Sequence, residues 1–308
     1  MIDILMAVYN GEKYLSQQID SILAQSDSEW HLYICDDSSD DRTYDIALDY
    51  ARRYPERITA QKNEAPSGSA CANFMGMLKR SRAEYVMFSD QDDFWQPDKI
   101  RLTLEKMKEM KQIYGDCPLL VHTDMEIVDS ELNRISPSFM RFQGLNSKCD
   151  TLNRLLCQNN VTGCTVMMNR ALAELVRDAP AADMLMHDWW IALTAAAFGR
   201  IGFVDKPLSK YRQHGGNQLG AVNNGNLAGV KRIVKNSVYT KKRVSATYEQ
   251  AKGFYKCYES LLDRREEKIV ENYLDIPRHL KLLRIILLIK YGFLKQNFIA
   301  AVGQLIFC

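Results

Sequence analysis

The sequence predicts an α/β fold, with a mostly parallel sheet covered by helices on both faces and a helical extension at the C-terminal end. Two observations carry this. Strand-like apolar runs alternate with segments of helical period through the first half of the chain, the pattern of parallel strands joined by crossover helices. Polar clusters also follow directly on several of those strand-like runs. In open parallel sheets, ligands bind beyond the carboxyl ends of the strands.

Ile2 to Val8 reads as a buried strand, and Gly11 to Ala24 as a helix with Leu15, Ile19, Ile22 and Leu23 on one face. Trp30 to Cys35 is the second strand. Asp40 to Tyr54 is the second helix, capped by Asp40 or Asp41. Arg57 to Gln61, Ser69 to Ser81 and Tyr85 to Ser89 continue the alternation as strand, helix and strand. Pro97 opens the next helix, at a position where its missing N–H costs nothing. Further on, Leu119 to Val121 and Thr165 to Met168 read as strands, and His187 to Phe198 as a helix rich in Trp and Ala. From Leu227 the chain reads as helical and basic.

The chain has 308 residues, 46% hydrophobic and 25% charged, the profile of a globular protein with one large domain and a smaller one. Its net charge of +2 implies neither nucleic acid nor an acidic partner. That small total hides an asymmetry. Ala228 to Cys308 holds 16 Lys+Arg against 7 Asp+Glu, whereas the preceding residues hold 24 against 31. The 8 cysteines include no C-x-x-C pair, and no basic, apolar leader opens the chain. Reduced thiols, no zinc and a cytoplasmic location are the expectation.

Four clusters are chemically suggestive. Asp90-Gln91-Asp92-Asp93 follows the strand Tyr85–Ser89, and clustered carboxylates repel one another unless a cation relieves them. Mg²⁺ and Mn²⁺ take hard oxygen ligands and the phosphates of a substrate. A capped surface turn is the plain alternative. Asp36-Asp37-Ser38-Ser39-Asp40-Asp41 is either an Asx-rich helix cap or a carboxylate presented to a nucleobase imide or a ribose. In Met186-His187-Asp188-Trp189-Trp190, Asp188 is either a helix cap or a general base raised by apolar surroundings. Tyr211-Arg212-Gln213-His214, running into Gly215-Gly216-Asn217, suits anion contact or metal ligation, with a structural His as the alternative.

Taken together, these residues resemble the family-two inverting glycosyltransferases with the GT-A fold. The likeness runs in order through Ala7-Val8-Tyr9-Asn10, Asp36-Asp37-Ser38-Ser39-Asp40, Asn63, Gly68 with Asn73, the acidic cluster with Trp95, Pro97 and Lys99, then Gly163 and His187-Asp188. It implies a catalytic domain over residues 1–225, with a nucleotide-sugar half to about 115 and an acceptor half from about 116, and a basic extension over 226–308. It also implies that Val8, Tyr9 and Asp37 hold the base, with Asn10, Asn63, Asn73, Asp90 and Gln91 lining the donor site. Asp90 and Asp92 are then the D-x-D pair, with His214, that holds Mg²⁺ or Mn²⁺, and Asp92 makes the direct metal contact. Asp188 stands at the place of the catalytic base, and His187, Trp95, Gly163 and Trp189 line the acceptor side. Many relatives carry Glu-Asp where this chain carries His187-Asp188, which leaves the role of His187 open.

The form Ser89-Asp90-Gln91-Asp92-Asp93-Phe94-Trp95, with His187-Asp188-Trp189-Trp190 and Tyr211-Arg212-x-His214, is especially similar to bacterial rhamnosyltransferases of surface polysaccharide assembly, which implies dTDP-rhamnose as donor. A UDP-hexose donor is the alternative. A nucleotidyltransferase fits less well, because Tyr9-Asn10-Gly11-Glu12-Lys13 is a poor Gly-rich phosphate loop, and a non-catalytic sugar-nucleotide-binding subunit would not need Asp92 and Asp188. Leu280 to Phe307 is apolar but interrupted by Arg284, Lys290 and Lys295, which makes it a poor membrane span. It suits an amphipathic helix on the inner leaflet, near a glycan or lipid-linked acceptor, or the seam of a homodimer.

Overall fold

The computed structural model describes residues 1–214 and 237–307. Gly215–Asn217 of the fourth cluster and the first part of the expected extension lie outside the described residues.

The first half alternates as its pattern predicts: β1 (Ile2–Val8), α1 (Leu15–Leu23), β2 (Trp30–Asp36), α2 (Thr43–Arg53), β3 (Ile58–Lys62), α3 (Ala70–Arg80) and β4 (Tyr85–Ser89). A short β5 (Phe94–Trp95) precedes α4 (Lys99–Tyr114) and the long β6 (Leu119–Val128). Then come β7 (Arg134–Ser136), α5 (Phe139–Gln143), α6 (Leu152–Cys157), β8 (Met167–Asn169), α7 (Arg170–Val176), α8 (His187–Phe198) and β9 (Arg200–Arg212). Four helices follow: α9 (Ser237–Tyr258), α10 (Arg264–Asp275), α11 (Lys281–Lys290) and α12 (Phe298–Phe307).

The sheet runs β3-β2-β1-β4-β8-β6-β9-β5, with β7 on the flank of β6. Strands β1 to β4 are parallel, β8 alone runs against both β4 and β6, and β6 pairs in parallel with β9. The β1 strand is the switch point of the nucleotide half: the chain goes outward from it to β2 and β3, then returns to its other side as β4. Its run of apolar residues is buried because both of its faces are covered.

Several boundaries differ from the sequence reading, for local reasons. The first helix begins at Leu15, because Asn10 adopts a left-handed φ of 48° and the Gly11 carbonyl receives the N–H groups of Tyr14 and Leu15. The second begins at Thr43, because the Asp41 carboxylate takes the Thr43 N–H and holds residues 41–43 as a capping turn. The apolar C-terminal stretch is two helices rather than one, broken at Gly292, whose φ is +70°.

Two apolar cores flank the sheet. One lies under α1, α2 and α4. The other joins α3, α7 and α8 to the extension, where Trp190 packs on Phe254 and Tyr258, and Tyr273 on Phe293. No described helix is long and apolar enough to cross a membrane.

Candidate functional site

The carboxyl ends of β1, β2 and β4 lie together, since Val8 pairs with Asp36 and Met6 with Ser89. The residues that leave the sheet there, Tyr9, Asp37 and Asp90, therefore share one edge. Asp36 and Asp37 divide the two roles that the sequence left open. Asp36 is fully buried and turned back on its own loop, where it takes the Ser39 N–H and hydroxyl. Asp37 faces outward. Its Oδ1 accepts from Asn63 Nδ2 (2.8 Å) and the Ser67 N–H (2.7 Å), and its Oδ2 from the Ser67 hydroxyl (2.8 Å). These bonds fix the carboxylate and leave acceptor capacity for a base imide. Tyr9, 56% exposed, offers its ring beside them.

Around this point the loops are tied to one another. Asn10 donates its N–H to Ser39 Oγ and accepts from the Asp40 N–H through its side chain. Gln91 pairs its amide with the Tyr9 backbone in both directions, accepting at 2.9 Å and donating at 2.8 Å. Gly11 makes room for that pairing, because a Cβ at Gly11 would stand 2.3 Å from Gln91 Oε1.

The acidic loop has two sides. On the outer side, Asp92 Oδ2 lies 2.7 Å from His214 Nε2. The reason is topological. The β5 strand pairs Trp95 with Ser209 of β9, so the residues just beyond β9 land beside those just before β5. Arg212 reinforces the junction from a fully buried position: it donates to the Asp92 carbonyl (2.9 Å) and to Gln17 Oε1 (2.7 Å), and its guanidinium lies 4.4 Å from the Tyr14 ring centroid. On the inner side, Asp90, Asp93 and Cys164 bring their ligand atoms within 4.8 Å of one another, above a buried Lys99. Burial and the neighbouring Asp92 push the Asp90 carboxyl up to about 7, and burial raises Asp93 well above the usual carboxylate range. Burial lowers the Lys99 ammonium to about 8 despite the acids beside it.

The inner carboxylates of Asp90 and Asp93 are hard ligands of the kind a divalent cation takes, and their crowding is the kind a cation relieves. Both carboxyl oxygens of Asp93 are buried with no hydrogen-bond partner. Asp92 and His214 stand as a separate pair on the outer side of the same loop.

Asp188 opens α8 across the site from the acidic loop. Its Oδ2 accepts the Gly163 N–H at 3.0 Å and its Oδ1 accepts from Asn159 Nδ2 at 3.1 Å. Burial raises its carboxyl to about 6, while the N–H groups of Gly163 and Trp189 hold it down. Gly163 is sterically required: a Cβ there would meet His187 Nε2 at 2.8 Å.

The geometry gives several residues expected at the ligand another place. Trp95 is 1% exposed and belongs to the core beneath α1 and α4, so it does not line the acceptor side. His187 is 3% exposed, tilted against the Phe74 ring and edge-on to the Phe88 ring with no hydrogen-bond partner for either nitrogen, and burial lowers it to about 3. It is a neutral core ring. The Val8 side chain is buried, and its carbonyl receives the Asp37 N–H. Asn73 is buried and donates to the Cys35 carbonyl. Gln91 gives both ends of its amide to Tyr9, which makes it a brace for the loop. Trp189 stays half-buried, with its indole N–H on the Leu155 carbonyl (2.6 Å). Arg212 braces the acidic loop from within.

The sequence reading missed Ser67, Asn159 and Cys164, and singled out the cluster that holds Asp93 without giving Asp93 a role of its own. Ser67 stands beside Gly68 in the loop after Asn63, a spacing that could have been read. Asn159 and Cys164 carry no local signal, because what joins them to the site is the antiparallel return of β8 beside β4.

Residues 3–175 match the family model described as Glycosyl transferase family 2. The chain is 32% identical to "dTDP-rhamnosyl transferase RfbG" of Shigella flexneri, over 77% of this chain and 81% of that protein. It is 31% identical to "UDP-Glc:alpha-D-GlcNAc-diphosphoundecaprenol beta-1,3-glucosyltransferase WfgD" of Escherichia coli, over 56% and 61%. Among solved structures it is similar to S. aureus TarS 1-349 in complex with UDP-GlcNAc (TM-score 0.54, 16% identity, 98% and 90% covered). It is also similar to the mannosyltransferase PcManGT from Pyrobaculum calidifontis in complex with GDP-Man and Mn2+ (TM-score 0.56, 14% identity, 94% and 72% covered).

Proposed function

We propose a reaction for a chain that belongs to glycosyl transferase family 2 and is a glycosyltransferase with the GT-A fold: transfer of L-rhamnose from dTDP-rhamnose, with inversion, to a hydroxyl of a glycan or lipid-linked acceptor in surface polysaccharide synthesis. The observation that supports the chemistry is that Asp37 and Asp90 leave neighbouring strands at one sheet edge, with Asp92 and Asp188 near enough to Asp90 to act on its charge. The likeness to the Shigella flexneri rhamnosyl transferase favours the sugar.

In this reading Asp37 receives the imide N–H of the pyrimidine and the Tyr9 ring covers the base. Asp92, with Asp90 and His214, would hold Mg²⁺ or Mn²⁺. A cation bound there supplies Lewis-acid stabilisation of the departing diphosphate. Asp188 takes the acceptor hydroxyl's proton as the new C–O bond forms at the anomeric carbon, and the bond to the diphosphate breaks on the opposite face, which inverts the configuration. A carboxyl raised to about 6 suits this work, because it is a stronger base than an ordinary Asp yet ionised at neutral pH. The protein is read as cytoplasmic and peripheral, touching the inner leaflet through residues 280–308.

The donor is tested by thermal shift with dTDP-rhamnose, UDP-glucose, UDP-galactose and UDP-GlcNAc, each with and without Mn²⁺. The expected result is the largest stabilisation from dTDP-rhamnose with the cation present. A larger shift from a UDP-hexose would replace rhamnose by that sugar, and equal shifts with and without Mn²⁺ would remove the metal from the scheme.

A further inference from the structure

Among the described residues, the extension carries an apolar surface that nothing covers. On α11, Leu288 is buried inward, while Leu282, Leu283, Ile286 and Ile289 lie exposed at helical spacing, Leu282 at 73% and Ile289 at 55%. On α12, Gly303 and Gln304 face inward, and Phe298 (84% exposed), Val302 and Ile306 repeat every fourth residue on the outside. Single exposed apolar residues are ordinary, but an apolar stripe on each of two consecutive helices is not. Ile276 to Cys308 contains Arg278, Lys281, Arg284, Lys290 and Lys295, and no Asp or Glu. Lys281 and Lys290 are exposed at the two ends of α11, whereas Lys295 is partly buried, Arg284 donates to the His279 and Pro277 carbonyls, and Arg278 pairs with Asp275. Apolar stripes flanked by exposed lysines complement an anionic bilayer.

The turn between these helices is fastened to the acceptor half. The Gln296 N–H donates to Gln158 Oε1 (2.9 Å), and Gln296 Nε2 donates back to the Gln158 carbonyl (3.2 Å). Gln296 Oε1 also accepts the Asn146 N–H (2.9 Å), and Asn153 Nδ2 donates to the Tyr291 carbonyl (3.1 Å). The residue after Gln158 is Asn159, which holds Asp188 Oδ1. One turn thus joins the apolar stripes to the segment that orients the base.

We propose that α11 and α12 seat on an anionic lipid surface, and that the Gln158–Gln296 pair carries this seating to Asn159 and Asp188, so that the lipid surface firms the acceptor side of the site. This deepens, and rests on, the reading of the extension as a membrane contact. It does not depend on which sugar is transferred.

The test uses the full chain with vesicles of 70% phosphatidylcholine and 30% phosphatidylglycerol. Wild type floats with these vesicles and not with pure phosphatidylcholine, and 0.5 M salt weakens the association. The double substitution Ile286→Glu with Ile289→Glu lowers the floating fraction at least about tenfold, because each Ile loses its burial in the apolar layer. The Mn²⁺-dependent thermal shift with dTDP or UDP stays unchanged, which shows that the variant is folded and keeps the donor reading separate. The anionic vesicles slow hydrogen exchange over residues 158–163 at least about twofold in wild type. Gln158→Ala with Gln296→Ala, which removes both bonds of the pair, still floats but loses that protection. Wild type that fails to float, an Ile286→Glu, Ile289→Glu variant that floats normally, or light scattering that shows a dimer dissolved by that substitution would overturn the lipid seat. Equal protection in wild type and the Gln158→Ala, Gln296→Ala variant would overturn the coupling.

Discussion

The two ends of this molecule are built on opposite principles. At the nucleotide end the side chains reach for one another across the loops: Asp37 with Asn63 and Ser67, Gln91 with Tyr9, Asn10 with Ser39 and Asp40. At the acceptor end, α8 is held mainly by ring packing of Trp190 on Phe254 and Tyr258, and beyond its first turn Thr194 is the polar residue, bonded to the Tyr258 hydroxyl. The difference teaches where each kind of damage will show. A polar lattice fixes the direction of a few lone pairs, so breaking one bond misdirects binding with little loss of stability. An apolar junction supplies stability to everything mounted on it, the base included.

The largest expected effect lies where the two ends meet chemically. Asp188→Asn is expected to lower kcat by about 10²–10⁴-fold, with the Mn²⁺-dependent nucleotide thermal shift retained. Near-normal turnover would assign the proton transfer elsewhere. Asp92→Ala removes the carboxylate paired with His214, and activity is expected to fall about 10²–10³-fold with loss of its response to Mn²⁺. Activity that survives EDTA in wild type would count against that assignment.

The apolar end is probed by Trp190→Ala, which empties a fully buried ring site and removes the bond from its indole to the Tyr258 hydroxyl (3.1 Å). A loss of about 3–5 kcal/mol in denaturant unfolding is expected. The polar end is probed by Gly11→Ala, whose new methyl displaces Gln91 from Tyr9. Donor KM should rise about tenfold, the cost of about one lost hydrogen bond pair, with the unfolding midpoint nearly unchanged. If Gly11→Ala destabilised the fold as much as Trp190→Ala, the contrast between the two ends would fail.

The smallest effect is on pH. The Asp188 carboxyl stands at about 6, above the ordinary Asp value of about 3.9, and acts only when ionised. At saturating Mn²⁺, kcat/KM should therefore be level above about pH 7 and fall as pH drops through about 6. A profile flat down to pH 5 would mean that the base is more solvated than its burial implies.

Periodicity foretold β1 and β4 most plainly because both are buried along their whole length, which keeps them largely apolar. The starts of α1 and α2 were less legible, since Gly11 and Asp41 look like helix residues until the loops opposite them are in place. The same logic divides the site. Asp37, Asp92 and Asp188 stood out because carboxylates directly after buried runs have few reasons to be there. Trp95 and His187 misled because an aromatic or imidazole next to an acid looks like a ligand contact, and only packing shows that the ring is enclosed.

The sequence by itself determined the alternation, the polar strand ends, the family and the basic, apolar tail, because each is written in residues that are neighbours along the chain. The tertiary structure decided which acid of each cluster faces outward, that Asn159 and Gly163 hold the base, and that His214 meets Asp92. It also decided that Gln296 reaches Gln158. Those pairings cross from 25 to 138 positions of sequence. They exist because β8 runs back beside β4, because β5 pairs with the end of β9, and because the extension packs onto α8. The order of strands in space is settled by the packing of whole elements, and no short motif records it.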